Sequence, residues 1–323
     1  MITSVLLFAV GLVLLIKGGD WFVDGATGIA KRFNLPDIVV GATVVSIGTT
    51  LPEVMVSTTG ALAGSGAMAY GNAIGSIICN TALIAAISIT CNPGPVNVKS
   101  MKTPAIFFFC SAALYCFASY VLGEFPRWMG FLMLSIFVVY MVLTVRNGMK
   151  NPDASAEEEE ESKPKALWQE LLLLVAGAAV IAVGADLLVE HGQIIALELG
   201  VPETVVALLF VALGTSLPEL VTTITSLKKG RASLGVGNVI GANVFNLVLV
   251  SGVAVSLAPF PVPCENFLLD TGMNMSLVFE IPVMLSVMSL MIFPAMATKK
   301  LGRWQGIALL VIYAVFCVCQ FVL

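Results

Sequence analysis

The chain has 323 residues, 58% hydrophobic and only 11% charged, with a formal net charge of -4. Soluble domains carry roughly 25% charged residues, so an ordinary soluble domain is excluded, and an acidic balance without any basic arm or stripe excludes nucleic-acid binding. One histidine, His191, and seven cysteines (79, 91, 110, 116, 264, 317, 319) with no Cys-x-x-Cys pair exclude a thiol or imidazole metal site and leave the cysteines as small hydrophobes in apolar runs.

At ~20 residues per transmembrane helix, the chain has room for about ten spans and little else, so its partner is the lipid bilayer. Apolar runs and breakers predict spans at 2–31, 36–64, 67–90, 103–121 and 127–147. A polar, acidic stretch follows, Asn147 to Lys165, with Glu157 to Glu161 in one run. Five more spans are predicted at 167–197, 202–228, 231–257, 274–294 and 303–323. Met1 to Ile16 is apolar, but no basic segment precedes it and no small-residue cleavage site follows. It reads as a retained first helix, not a signal peptide.

The second span carries Gly48-Thr49-Thr50-Leu51-Pro52-Glu53. Pro52 has no N–H and its ring opposes the Gly48 carbonyl, which predicts a break at Gly48–Leu51. Half-helices of ~12 residues, or ~18 Å, put that break near the bilayer midplane. Unwound backbone is tolerated there only where it lines a cavity or protein interior. Thr49 and Thr50 add hydroxyl oxygens, and Glu53 adds a charge that costs about 2.5–3.5 kcal/mol at membrane depth on insertion scales.

The third span carries Gly71-Asn72-x-x-Gly75-Ser76-x-x-x-Asn80. Gly71 and Gly75 permit close helix approach. Asn72, Ser76 and Asn80 share a face at i, i+4, i+8. Asn72 reads equally as packing glue or as a ligand. Asn80, two turns deeper, is placed to neighbour the Glu.

The seventh and eighth spans repeat this construction. Aligning Pro36–Ile84 with Pro202–Val250 at a constant shift of 166 needs no gap and gives 17 identities in 49 positions. The repeat returns Thr215, Ser216, Pro218 and Glu219, then Gly237, Asn238, Gly241 and Asn246, and upstream it pairs Gly18-x-Asp20 with Gly184-x-Asp186. With five spans per repeat, the second must enter the membrane inverted, which relates the halves by a pseudo-two-fold axis in the membrane plane.

The predicted fold is therefore all-α, a polytopic membrane protein of ten helices in two inverted five-helix repeats, 1–147 and 167–323, joined by an acidic linker at 148–166. An N-terminus outside places 14 of the 16 Lys and Arg in cytoplasmic loops, as the positive-inside rule requires. Both termini then lie outside the cell membrane, and the linker is cytoplasmic.

Two carboxylates and several carbonyl and hydroxyl oxygens brought together suit a hard cation. Ca²⁺ takes about 6–8 oxygens, and two negatives balance one Ca²⁺ or two Na⁺. Without Cys or His, soft metals are disfavoured. No nucleophile or metal constellation suggests an enzyme, and no cofactor is implied. Lys17 and Asp20 can pair along one helix face. Glu124, Glu198, Glu203, Glu265, Asp270 and Glu280 read as a solvated outer rim.

The paired Gly-Thr-Thr/Ser-Leu-Pro-Glu motifs, each followed by Gly-Asn-x-x-Gly-x-x-x-x-Asn, resemble the repeats of the sodium/calcium exchanger branch of the cation/Ca²⁺ antiporter superfamily. The resemblance covers both halves. It implies Ca²⁺ and Na⁺ as transported ions and Glu53, Glu219, Thr49, Thr50, Thr215 and Ser216 as ion ligands, with Glu53, Glu219, Thr49 and Thr215 holding Ca²⁺. Ser46 and Ala212 would contribute carbonyls, and Ser76, Asn80 and Asn246 map to the neighbouring helices of the site. The chain departs from the family pattern at Asn246, where many exchangers of this branch carry Asp, and at Ile77, where Asn is expected. The implied activity is exchange of Ca²⁺ for Na⁺ by alternating access. Coupling to H⁺ or another cation on the same fold, and a cation channel, are the alternatives.

Overall fold

The computed structural model describes residues 2–150, 166–199, 214–263 and 274–322. Its helical segments are α1 (Ile2–Arg32), α2 (Asp37–Leu62), α3 (Gly66–Cys91), α4 (Val98–Leu122), α5 (Arg127–Lys150), α6 (Leu167–Glu198), α7 (Leu217–Lys228), α8 (Ala232–Leu257), α9 (Ser276–Thr298) and α10 (Arg303–Val322). Among the described residues, nine helices are long and apolar enough to cross a membrane. Only the second half of the predicted span 202–228 is described, as α7. Ala212, Glu203, Cys264, Glu265, Asp270 and the Glu157–Glu161 run lie outside the described residues.

The ends of the helices follow local chemistry. The α4 helix starts at Val98, five residues before the apolar run, because the Asn97 side chain accepts from the N–H groups of Lys99 and Ser100, a helix cap. It ends at Gly123, whose φ of 71° is open to glycine without a Cβ penalty.

Among the described residues, four two-residue strands modify the all-α expectation. Strand β1 (Gly94–Pro95) pairs antiparallel with β4 (Lys300–Leu301), and β2 (Glu124–Phe125) with β3 (Phe260–Pro261). Strand β1 follows α3 and β4 follows α9, while β2 follows α4 and β3 follows α8.

Helices α3 and α8 are the most buried spans, and α1, α5, α6 and α10 form the periphery. Helices α1 and α6 pack antiparallel along glycines spaced seven apart. A Cβ on Gly11 would stand 2.9 Å from the Gly184 carbonyl oxygen, and one on Gly25 would stand 2.6 Å from that of Glu170. Such small residues let backbones approach in the membrane. At the Arg32 end, the Arg32 Nε–Glu170 Oε2 pair at 2.9 Å ties the two helices together.

Two local expectations are corrected. Asp20 does not pair with Lys17: Lys229 Nζ, from the end of α7, reaches Asp20 Oδ1 at 3.7 Å and Asp24 Oδ1 at 2.6 Å. The charge partner lies across the fold, where sequence spacing does not look.

The predicted unwinding at Gly48–Leu51 is also absent. Helix α2 continues through Pro52 from Ser46 to Leu62, and its irregularity lies earlier, in a π-helical turn at Gly41–Val45. A proline removes one hydrogen bond, which a packed helix absorbs by bending. In the second repeat the expected break does occur. Thr215 and Ser216 form a turn, and α7 begins at Leu217 with Pro218 in its first turn, where a missing N–H costs no hydrogen bond.

Candidate cation site

Glu53 and Glu219 are both fully buried. They are near enough to interact electrostatically, and the Glu219 carboxylate faces the Thr49 and Thr50 hydroxyls of the other repeat. The neighbouring helices close the site reciprocally. The π-helical turn that begins at Asn246 (Asn246–Val250) packs against the helix bearing Glu53, and the one that begins at Asn80 (Asn80–Ala85) packs against the helix bearing Glu219. A π-turn inserts one residue into the helix and is frequent at functional sites. Here it falls on both equivalent asparagines.

The asparagines one motif earlier hold the threonines. Thr49 Oγ1 donates to Asn238 Oδ1 at 3.1 Å, and Thr215 Oγ1 donates to Asn72 Oδ1 at 3.3 Å. Each threonine is thus fixed by the asparagine of the opposite repeat. A hydroxyl whose proton is committed elsewhere presents lone pairs to the cavity. Asn72 Nδ2 also donates to Ser57 Oγ at 2.8 Å and to the Glu53 carbonyl at 3.2 Å. Ser46 Oγ lies 2.8 Å from the Gly41 carbonyl oxygen and 3.0 Å from that of Asn238, within the irregular first part of α2.

The remaining polar atoms define what the site lacks. Both carboxylate oxygens of Glu53 and of Glu219, the hydroxyls of Thr50 and Ser216, and the side-chain amides of Asn80 and Asn246 are buried without a hydrogen-bond partner among the described residues. Buried polar groups are ordinarily paired, and an ionised carboxylate without a partner costs several kcal/mol. Four carboxylate oxygens, two hydroxyls and two amide oxygens are thus buried on packed helices with nothing to satisfy them, and hard oxygens of this kind are what a hard cation takes.

The structure therefore brings Glu53, Glu219, Thr49, Thr50, Ser216, Asn80 and Asn246 to the interface between the repeats. Thr215 is half-buried there, Ser46 is buried beside Asn238, and Ser76 is buried on the α3 face that leads to Asn80. Ala212 lies outside the described residues. Sequence reasoning missed Thr222, Thr223 and Ser226, buried hydroxyls on α7 without hydrogen-bond partners among the described residues. Their offsets of three, four and seven from Glu219, on one helix face, were the available signal. The π-turns had no signal at all.

The fold is mirrored in known proteins. The family described as sodium/calcium exchanger protein matches residues 3–146 and 170–322. The chain is 33% identical over 309 residues to an uncharacterized membrane protein of Methanocaldococcus jannaschii, covering 95% of each. It is 28% identical to the sodium/calcium exchanger MaX1 of Methanosarcina acetivorans, covering 98% of each. A structure of the sodium-calcium exchanger NCX_Mj soaked with Na⁺ and Sr²⁺ superposes with a TM-score of 0.79 at 32% identity, covering 97% of both chains. The chain accordingly belongs to the sodium/calcium exchanger family and is an integral membrane cation/Ca²⁺ antiporter.

Proposed function

We propose that the chain exchanges Ca²⁺ for Na⁺ by alternating access at the Glu53/Glu219 site. The observation that carries this reading is the pair of fully buried carboxylates without partners, with hydroxyl and amide oxygens that also lack partners on the helices packed around them. One Ca²⁺ neutralises the pair, as do two Na⁺, so occupancy by one excludes the other and transport of each is tied to the other. Thr49 and Thr215, held by Asn238 and Asn72, orient lone pairs toward the ion, and Ser46 and Ala212 contribute carbonyls.

The reciprocal strand pairings and Thr–Asn contacts support two inverted five-helix repeats, 1–147 and 167–323, with the span 202–228 completing ten helices. Three ion-paired bases, Arg32, Lys229 and Arg231, gather near one end of the bundle, which we take as the cytoplasmic face on the positive-inside rule. The termini then face outward from the cell membrane, and the acidic segment 148–166 is cytoplasmic.

The test is Ca²⁺ uptake by proteoliposomes under an imposed Na⁺ or pH gradient. Uptake driven by outwardly directed Na⁺, and not by a pH gradient of equal size, is expected. Uptake driven only by the pH gradient overturns Na⁺ coupling and leaves the antiporter fold; uptake without any counter-ion gradient indicates a channel.

Asn246 bears on charge movement. With two fixed carboxylates, a third Na⁺ would leave a net charge in low dielectric, and a net charge crossing the membrane contributes about 2.3 kcal/mol per 100 mV. Exchange is expected to depend weakly on voltage, and Asn246→Asp is expected to increase that dependence. Na⁺-driven Ca²⁺ flux with the potential set by K⁺ and valinomycin measures it. Strong dependence in the native chain, unchanged by the substitution, refutes the two-carboxylate charge balance.

A further inference from the structure

At one end of the bundle, a cavity of about 500 Å³ opens where α3 stops and α4 and α8 start. The proposed topology puts this end in the cytoplasm. Part of its wall is apolar: Ile38, Ile89, Val236 and Leu301 line it, and all four are buried. The β1–β4 ladder contributes Gly94, Pro95 and Leu301 to the lining. None of the proposed ion ligands lines it, so the cavity is separate from the exchange site.

The polar part of the lining favours negative charge. Helix α8 begins at Ala232, and both Ala232 and Ser233 line the cavity. No side chain caps this helix. The N–H groups of its first turn therefore lack partners within the helix and present the positive end of its dipole. The start of α4 also meets the cavity through Asn97, whose side chain accepts from the N–H groups of Lys99 and Ser100. Ser88 adds a hydroxyl to the lining, 2% exposed and without a hydrogen-bond partner among the described residues.

Opposing charge nearby is already engaged. No described residue of the lining is acidic. Asp37, next to Ile38, is held by Arg231 Nη1 at 3.0 Å from each carboxylate oxygen. At the end of α3, the Ser88 carbonyl accepts from the Asn92 N–H at 2.9 Å, and the Thr90 carbonyl accepts from Arg303 Nε at 3.0 Å.

We propose that this cavity binds a small organic anion, a phosphate joined to an apolar group, independently of the exchange site. The anionic group sits at the α8 N-terminus beside Ser88, because N–H groups and helix dipole act together on an anion there. The apolar body lies against Ile38, Ile89, Val236 and Leu301, where its burial is favourable. A few convergent polar groups in a largely apolar wall is the usual form of a small-molecule site.

The experiment follows thermal unfolding of the purified full chain in phosphatidylcholine nanodiscs, without Ca²⁺, against phenyl phosphate. Saturable stabilisation is expected, with inorganic phosphate at least about ten-fold weaker because it leaves the apolar wall unused. Benzyl alcohol, which lacks the charge, should give no saturable effect. Ser233→Asp places a fixed negative charge in the first turn of α8, where it suits the helix itself. It should raise the half-saturating concentration at least about ten-fold by repulsion without lowering the stability of the free protein. Ser88→Ala removes only a hydroxyl and should raise it about three-fold. Replacing part of the lipid by phosphatidic acid separates the two sources of such a phosphate. A raised half-saturating concentration identifies a membrane lipid as the occupant, and an unchanged one identifies a soluble ester. The proposal is overturned if phenyl phosphate gives no saturable stabilisation, if benzyl alcohol or inorganic phosphate matches it, or if Ser233→Asp leaves it unchanged. None of these outcomes touches the exchange reading, because Ca²⁺ is absent and Glu53 and Glu219 are intact.

Discussion

Ca²⁺ transport is expected to fall at least a hundredfold in Glu53→Gln and in Glu219→Gln, while the protein still inserts and purifies. The substitution keeps the side-chain shape and removes half of the site's charge. Taking one charge from a buried, matched set costs about 3–5 kcal/mol, and each 1.4 kcal/mol is about tenfold in affinity. The loss should appear in both Ca²⁺ and Na⁺ flux, because both ions use the same carboxylates. Replacing the Glu157–Glu161 run by Gln is the matching control and should leave flux within about twofold. The measurement is ⁴⁵Ca²⁺ uptake into Na⁺-loaded proteoliposomes at equal protein density. Native-rate uptake by Glu219→Gln would show that the ion binds elsewhere.

Gly241→Ala should damage both stability and ion binding. A Cβ there would meet the Ser46 hydroxyl and lie 2.5 Å from Ala42 Cα and 2.7 Å from its carbonyl oxygen. The contact is with backbone of the π-helical turn Gly41–Val45, which cannot swing away as a long side chain can. Tyr140 holds that turn from the other side, its hydroxyl donating to the Ala42 carbonyl at 2.7 Å. Overpacking of this kind costs about 1–3 kcal/mol. Because α8 would be pushed off α2, the hydrogen bonds from Ser46 and Thr49 to Asn238 should loosen, weakening Ca²⁺ binding beyond the loss of stability. Gly94→Ala, where no described atom lies within 4 Å of the new Cβ, should stay within about 0.5 kcal/mol. Thermal unfolding with and without Ca²⁺ separates the two effects. An unchanged midpoint and unchanged Ca²⁺ stabilisation in Gly241→Ala would show that the close approach of α2 and α8 is not needed.

The equivalent glycine pair of the first motif, Gly71 and Gly75, has a different environment. No described atom lies within 4 Å of a Cβ built at Gly71 or Gly75, and the segment corresponding to Gly41–Ser46, residues 207–212, lies outside the described residues. The close approach expected from both glycine pairs is therefore seen only at Gly237 and Gly241.

Much of this protein was legible in one dimension, for a physical reason. Spanning a bilayer requires long apolar helices, so composition alone announced the class and hydropathy placed the ends of the described spans within a few residues. A gapless internal repeat exposed the matched Pro–Glu motifs, and the cost of a carboxylate at membrane depth marked Glu53 and Glu219 as the residues to watch. What only the tertiary structure decided depends on contacts between distant segments. Proline chemistry is the same at 52 and 218, yet packing keeps α2 continuous while the second motif breaks at Thr215–Ser216. The π-turns at Asn80 and Asn246 change the hydrogen-bond register without any residue that demands it. Asp20 answers to Lys229, 209 residues away, and Thr49 and Thr215 are held by asparagines of the opposite repeat. Local sequence sets helix and charge; which unpaired oxygens meet is settled by how helices far apart in the chain pack.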